Sequence, residues 1–197
     1  MRTKGSGESA LLLLDAIEIL RSSNVDYAII GALAASIHGL IRATADADAL
    51  LSISTSALTA LERSLKVAGF KTELTRGDVG DPISAVLILR DEFKNRVDFL
   101  VGIRGFDPKA FSRTIEVALE GESLKFVGLE DFVAMKLFAG GPQDLVDAKG
   151  ALEAAPEPPN MELLKELAQR YGRETTRSLE SLLSNFSHDL DSGLELD

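Results

Sequence analysis

Apolar residues recur every three to four positions through ESALLLLDAIEILRS (8–22), and the rhythm stops at SSN, which predicts a helix closed at that break. DYAIIG (26–31) is instead almost continuously apolar and ends on Gly31, the pattern of a short strand buried on both faces. ALAASIHG is rich in alanine and ends at Gly39, which predicts a short helix with a glycine stop. In RATADADALLSI (42–53) apolar side chains fall on alternate positions, so a second strand is predicted. STSALTALERSLKVAGF (54–70) then reads as a helix with Ser54 or Thr55 as its cap and Gly69 as its end.

Three strand-like runs follow, FKTELTR, SAVLILR and NRVDFLVG, separated by the turns GDVGDP and DEFKN; the second turn predicts a hairpin of 84–90 with 95–101. DPKAFSRTI reads as a short helix or turn and SLKFVG (123–128) as a short strand. GLEDFVAMKLFAGG and PQDLVDAKGALEA read as two helices broken at Gly140–Pro142. PEPPN (156–160) is a linker, and MELLKELAQRYG and ETTRSLESLLSNF beyond it are amphipathic. The expected class is therefore α+β, a mixed β-sheet with helices packed on it plus C-terminal helices. The expected organisation is a main domain over 8–155, a linker and helical appendage over 156–186, and a flexible acidic tail over 187–197.

Composition narrows the chemistry. The chain has 197 residues, 45% hydrophobic and 26% charged, enough for one domain with a real core and a small appendage. Cysteine is absent, which removes disulfides, thiolate zinc sites and a cysteine nucleophile, and fits a reducing cytoplasm, the expected location. His38 and His188 are the two histidines, so a catalytic triad or histidine metal site would have to be built around one of them. The longest apolar stretch, AIIGALAASI (28–37), falls well short of the roughly 20 residues of a membrane helix, so no span is expected. Asp15 and Glu18 interrupt LLLLDAIEIL, which argues against a signal peptide. A net charge of −10 argues against broad binding to a phosphate backbone. Asp189, Asp191, Glu195 and Asp197 supply part of it in the tail.

Asp46 and Asp48 are out of place on a strand that otherwise suits a core, because aspartate is depleted in strands and costly to bury alone. At positions i and i+2 they share one face, about 6–7 Å apart along the chain. A divalent metal would relieve their repulsion, Mg²⁺ in particular taking one or two carboxylates plus substrate phosphates. The alternative is that the pair sits at the solvent end of the strand. Asp98, within RVDFLV, repeats the anomaly on another strand. It would complete a two-metal site, or it would pair with Arg96 or Arg104. Gly31 ends a buried strand and opens a helix, a place where backbone can approach an anion closely, or simply a tight turn.

The order of these parts resembles the nucleotidyltransferase superfamily that includes DNA polymerase β. IIGALAASIHGLIRATADADALL is similar to the core of its minimal bacterial members, the toxin-type and abortive-infection-type enzymes, which read Gly-Gly or Gly-Ser, a short helix ending in His-Gly, then Arg-x-Thr-x-Asp-x-Asp. The resemblance covers 27–53 and resumes in GLEDFVAMKLFAGGPQDLVDAKGAL (128–152); between them Asp98 is the landmark. It implies transfer of a nucleoside monophosphate from an NTP to an acceptor hydroxyl, with Asp46, Asp48 and Asp98 as catalytic residues and Mg²⁺ ligands. It also implies nucleotide contacts at Gly31, Ala32, Arg42 and Thr44. In the toxin-type relatives a lysine and a later aspartate also serve the site; these fall on Lys136 and on Asp144 or Asp147. Lys136 could equally be a helix lysine laying its stem along apolar surface.

Two positions depart from the family pattern: Ala32 stands where glycine or serine is usual, and Gly141 where many relatives carry arginine. His38 is expected to cap or pack the short helix. The acceptor implied is RNA, such as a tRNA end, or a protein, in a toxin–antitoxin or phage-defence setting with an antitoxin as possible partner. Two alternatives are a small-molecule enzyme of the aminoglycoside-modifying kind and a degenerate, non-catalytic binding module. Residues 161–186 would be the docking surface for a partner or a second copy.

Overall fold

A computed structural model describes residues 1–192, with side chains through residue 184. Residues 193–197, the end of the acidic tail, lie outside the described residues, as do the side chains of 185–192, His188 among them. Backbone contacts divide the chain into two compact units. One comprises Met1–Ile37, Ile41–Arg104 and Pro108–Gly128; the other comprises His38–Leu40, Gly105–Asp107 and the chain from Leu129 onward. Among the described residues no helix is long and apolar enough to cross a membrane.

The first unit is built on seven strands: β1 (Asp26–Ile30), β2 (Asp46–Ser52), β3 (Lys71–Arg76), β4 (Ile83–Arg90), β5 (Arg96–Ile103), β6 (Ile115–Leu119) and β7 (Glu122–Phe126). They form one mixed sheet in the order β3-β4-β5-β2-β1-β7-β6. β2 runs antiparallel to β1 and parallel to β5, and β1 runs parallel to β7. The α+β expectation is met, and the hairpin read across DEFKN is the β4–β5 pair.

Alternation along β4, β5 and the start of β2 gives this part of the sheet two unlike faces. Ala47, Ala49, Ala85, Leu87, Leu89, Val97 and Phe99 are at most 1% exposed and form the core face. Helix α1 (Ser9–Ser22) packs against β1, β2 and β5, and its apolar stripe of Leu12, Leu13, Ala16, Ile17 and Leu20 is buried there. Seen through that stripe, the helical rhythm of 8–22 is a record of one buried face. The opposite face is half-buried at Ile88, Arg90, Arg96, Asp98, Asp46 and Asp48.

Three expectations need correction in detail. The helix expected from 54 is α3 (Leu58–Val67), with Ala57 rather than Ser54 or Thr55 at its cap; Ser54 instead makes the turn before it, its carbonyl accepting from Ala57 and Leu58, and Gly69 ends the helix with its N–H on Lys66. The helix or turn expected over DPKAFSRTI is a single 3₁₀ turn, Pro108–Ser112, and Ile115 belongs to a strand. That strand, β6, was not expected. It pairs with β7 through a two-residue turn in which Glu120 and Gly121 have φ of 50° and 80°, the left-handed pair that tight hairpins require.

The second unit is helical: α4 (Leu129–Ala139), α5 (Pro142–Ala154), α6 (Met161–Tyr171) and α7 (Arg173–Ser192). Gly140 turns the chain with φ of 67°, and Pro142 opens α5 where its missing N–H costs nothing. Asn160 caps α6 by accepting from the Leu163 N–H at 3.0 Å. The rings of Phe138 and Tyr171 stack at 4.7 Å. Burial, reinforced by the Asp131 charge, pushes the Tyr171 hydroxyl well above its ordinary pKa. The backbone of α7 continues to Ser192, beyond the residue 186 at which the helical appendage was expected to end.

Candidate active site

The carboxylates of the first unit form a row across neighbouring strands. Register aligns Ile88 of β4, Asp98 of β5, Asp48 of β2 and Ile30 of β1 side by side. The adjacent row on the same face is Arg90, Arg96 and Asp46. With neighbouring strands about 4.8 Å apart, Asp98 and Asp48 are lateral neighbours, while Asp46 and Arg96 are the same one step along the strands. The sequence anomaly at 46, 48 and 98 thus resolves into one acidic patch on one face.

Arg96 lies at its centre. Its Nε donates to Asp98 Oδ1 at 2.7 Å and its Nη2 to Asp98 Oδ2 at 2.7 Å, a bidentate pair from residues i and i+2 of one strand. The Asp98 side chain is 16% exposed and that of Arg96 31%. The hydrogen bond to Asp98 raises the guanidinium pKa, burial opposes it, and the charges of Asp98, Asp46 and Asp48 add to the rise. Of the two partners considered for Asp98, Arg96 is the one the structure selects.

Gly31 opens the seven-residue helix α2 (Gly31–Ile37) with φ of 66°. A Cβ built there would collide with Asp48 Oδ2 and lie 3.0 Å from Asp48 Cγ, so only glycine lets the β1–α2 turn and this carboxylate coexist. Ala32, in the first turn of α2, is 8% exposed. The Thr44 hydroxyl donates to the Asp46 carbonyl at 2.8 Å, fixing the entry to β2, and Arg42 lies on the exposed loop before it. The first unit therefore gathers Gly31, Asp46, Asp48 and Asp98 into one locality, with Thr44 tied to the strand that carries two of them.

Lys136, Asp144 and Asp147 form a separate cluster within the second unit. Lys136 Nζ donates to Asp144 Oδ1 at 2.7 Å and lies 2.8 Å from Asp147 Oδ2. Gln143 donates to Asp147 Oδ1 at 2.9 Å. The lysine side chain is 13% exposed, Asp147 only 3% and Asp144 28%. The Lys136 ammonium also stands 5.8 Å from the Phe132 ring centroid, and that ring packs 4.9 Å from the His38 ring. His38, expected to cap or pack the short helix, is buried with its ring on Phe132 of α4. The Gly140–Pro142 break lets residues eight and eleven positions after Lys136 turn back onto it.

Arg96 and Gln143 were not singled out as site residues from sequence. Arg-x-Asp on a strand is a same-face spacing and carried the signal for Arg96; the i, i+4 spacing of Gln143 and Asp147 carried the signal for the other.

Among the described residues no three acidic or histidine side chains are arranged to hold a metal by themselves. Asp98, the third candidate, is turned into Arg96. Asp46 and Asp48 remain a pair of hard oxygen donors on one face, the number and kind that Mg²⁺ takes when substrate phosphates complete its shell. The donor set fits that ion.

No protein-family model matches the chain, and no curated protein matches it. Solved structures do. An antigenic nucleotidyltransferase-like protein from Paracoccidioides brasiliensis aligns over 98% of this chain and 95% of its own, with a TM-score of 0.56 and 21% identity. The chain has a nucleotidyltransferase-like fold. The antibiotic-resistance factor ANT(2'')-Ia aligns over 91% of this chain and 96% of its own, with a TM-score of 0.57 and 13% identity. The lincosamide antibiotic adenylyltransferase LnuA aligns over 78% and 100%, with a TM-score of 0.50 and 14% identity. On this nucleotidyltransferase-like fold the acidic row and the Gly31 turn are features of the chain's own geometry.

Proposed function

We propose that this chain transfers a nucleoside monophosphate from an NTP to an acceptor hydroxyl. The observation that carries the reading is the acidic row beside Gly31: Asp48 stands next to Asp98 across β2 and β5, and its carboxylate abuts a turn where only glycine fits. The nucleotidyltransferase-like fold supports the same reading. In the reaction the acceptor oxygen bonds to the α-phosphorus, the bond from that phosphorus to the bridging oxygen breaks, and pyrophosphate leaves. Asp46 and Asp48 would hold Mg²⁺, with Asp98 as a further ligand. When bound, the ion supplies charge neutralisation on the phosphates and on the leaving pyrophosphate. Gly31 lets the triphosphate approach the backbone, with Ala32, Arg42 and Thr44 bordering it. Asp98 takes the proton of the acceptor hydroxyl. The resemblance gives Lys136 a role toward the phosphates, and within its own unit Asp144 and Asp147 hold its ammonium.

The acceptor implied by the resemblance is RNA, such as a tRNA end, or a protein, in a toxin or phage-defence role with an antitoxin partner. A second reading, a small hydroxylated acceptor, is supported by two observations. Net charge of −10 disfavours a polyanionic acceptor. Two antibiotic-directed proteins share the fold over nearly their whole lengths. Purified protein is incubated with Mg²⁺ and each labelled NTP, in separate arms containing total RNA, cell protein, and a panel of aminoglycosides and lincosamides. Label in one arm names the acceptor class. No label above that of an Asp46→Ala, Asp48→Ala double variant in any arm overturns the reading and leaves the binding module.

A further inference from the structure

Three carboxylates on one sheet face need positive charge in the free protein as much as in the loaded one. Asp46, Asp48 and Asp98 are all half-buried, and mutual repulsion at strand spacing is unfavourable. The guanidinium that holds Asp98 is Arg96. It is the lateral neighbour of Asp46, it holds both oxygens of Asp98, and Asp48 lies diagonally across the same four-residue patch. A carboxylate whose two oxygens are both engaged by a guanidinium is a poor metal ligand and a poor proton acceptor. Arg96 therefore stands in the way of both tasks assigned to Asp98.

We infer that Arg96 is the resident cation of the acidic face, a positioning residue that competes with the divalent metal for Asp98, so that loading the site hands Asp98 from guanidinium to metal. Arg96 has somewhere to go: its side chain is 31% exposed, so it can swing outward while its β5 backbone stays paired on both sides. The exchange also makes loading selective. Breaking a bidentate charge-assisted pair is unfavourable, so a bare cation competes poorly for the face, whereas a metal arriving with triphosphate gains the phosphate contacts beside Gly31 as well.

The inference rests on the metal-dependent reading above, and the test separates the two. Mn²⁺ affinity is measured by titrating free Mn²⁺ in the absence of nucleotide for the full chain and for Arg96→Met, Arg96→Lys and Arg96→Met with Asp46→Asn. Thermal midpoints are recorded with and without Mg²⁺. Removing a unit charge from beside the ion is expected to tighten Mn²⁺ binding about tenfold in Arg96→Met, and to make its midpoint rise with Mg²⁺ far more than that of the unaltered chain. Arg96→Lys retains the charge and is expected to stay within about threefold of the unaltered chain, because a point charge lacks the bidentate grip but still repels the ion. Adding Asp46→Asn abolishes the gain. Unchanged or weaker Mn²⁺ binding in Arg96→Met overturns the inference, as does tightening that survives Asp46→Asn. If Arg96→Met does not fold without metal, recovery of its folded spectrum by Mg²⁺ supports the inference and failure to recover overturns it. Absence of nucleotide transfer by the unaltered chain, with the Mn²⁺ pattern intact, would instead reject the functional reading alone.

Discussion

On the sheet, Asp46, Asp48 and Asp98 gather around Arg96; in the helical unit, Asp144 and Asp147 close around Lys136. The two clusters differ in depth. Asp147 is 3% exposed and also accepts from Gln143, so the helical cluster is a closed arrangement whose parts hold one another in place. The sheet cluster is half-buried and opens beside a glycine turn. One cluster is closed within its helices, and the other lies half-buried on a sheet face.

The comparison breaks most readily at Lys136. Lys136→Met leaves Asp147 buried without its ammonium and is expected to cost about 3 kcal/mol or more of stability, read as a fall in the denaturation midpoint. A loss below about 1 kcal/mol would mean that the helical cluster is as solvent-screened as a surface pair. Gly31→Ala comes next. A positive φ of 66° and a Cβ directed at Asp48 Oδ2 are expected to cost about 2 kcal/mol, with Mn²⁺ and nucleotide affinity falling together in a titration. Full retention of both affinities would show that Asp48 is not held against the turn.

Asp46→Asn separates the clusters by sign. Relieving like-charge repulsion on the sheet is expected to raise the metal-free thermal midpoint by about 1–2 °C, while activity is lost; a lower midpoint would mean that the acidic face is already balanced. The smallest effect calibrates the acid limb. Burial pushes the Asp91 carboxyl up, but hydrogen bonds from Asn95 and Thr3 side chains and from the Asn95 and Phe93 N–H groups outweigh it, and its pKa lies below the ordinary value. The folded carboxyl therefore binds a proton less readily than the unfolded one. Its contribution is complete above about pH 4 and fades as pH falls through the folded value. Asp91→Asn is expected to flatten the loss of stability below about pH 4 in acid denaturation; an unchanged slope would contradict it.

Much of the fold could be read from periodicity because burial wrote it there. The stripe of α1, the continuous run of β1 and the alternation in β4 and β5 each reflect a face packed against something. β6 escaped because its residues are mostly exposed at the sheet edge, where apolar alternation carries little selective weight, although Glu120–Gly121 did spell a tight turn. In the candidate site, Asp46 and Asp48 stood out because aspartate contradicts its strand, and Asp98 for the same reason. That Asp98 pairs with Arg96, and that the Asp98 row adjoins Gly31, depends on a parallel β2–β5 register joining segments 50 residues apart in sequence. No local pattern encodes that register. The Lys136 cluster was reachable only as a motif, since its closure depends on the angle that Gly140 gives to α4 and α5.

The place of β1 in the sheet bears on how the chain reaches this structure. β1 lies between β2 and β7, and Ile29 pairs with Phe126, so one edge of this central strand waits for residues translated roughly a hundred positions later. At ordinary ribosomal speeds that interval is about 5–20 s. During it, Tyr27, Ala28, Ile29 and Ile30 form an apolar strand with an open side, directly before the turn that abuts Asp48. The β2 side of β1 can pair early, so it is the β7 side of this strand that stays open to aggregation and chaperone capture until Phe126 arrives.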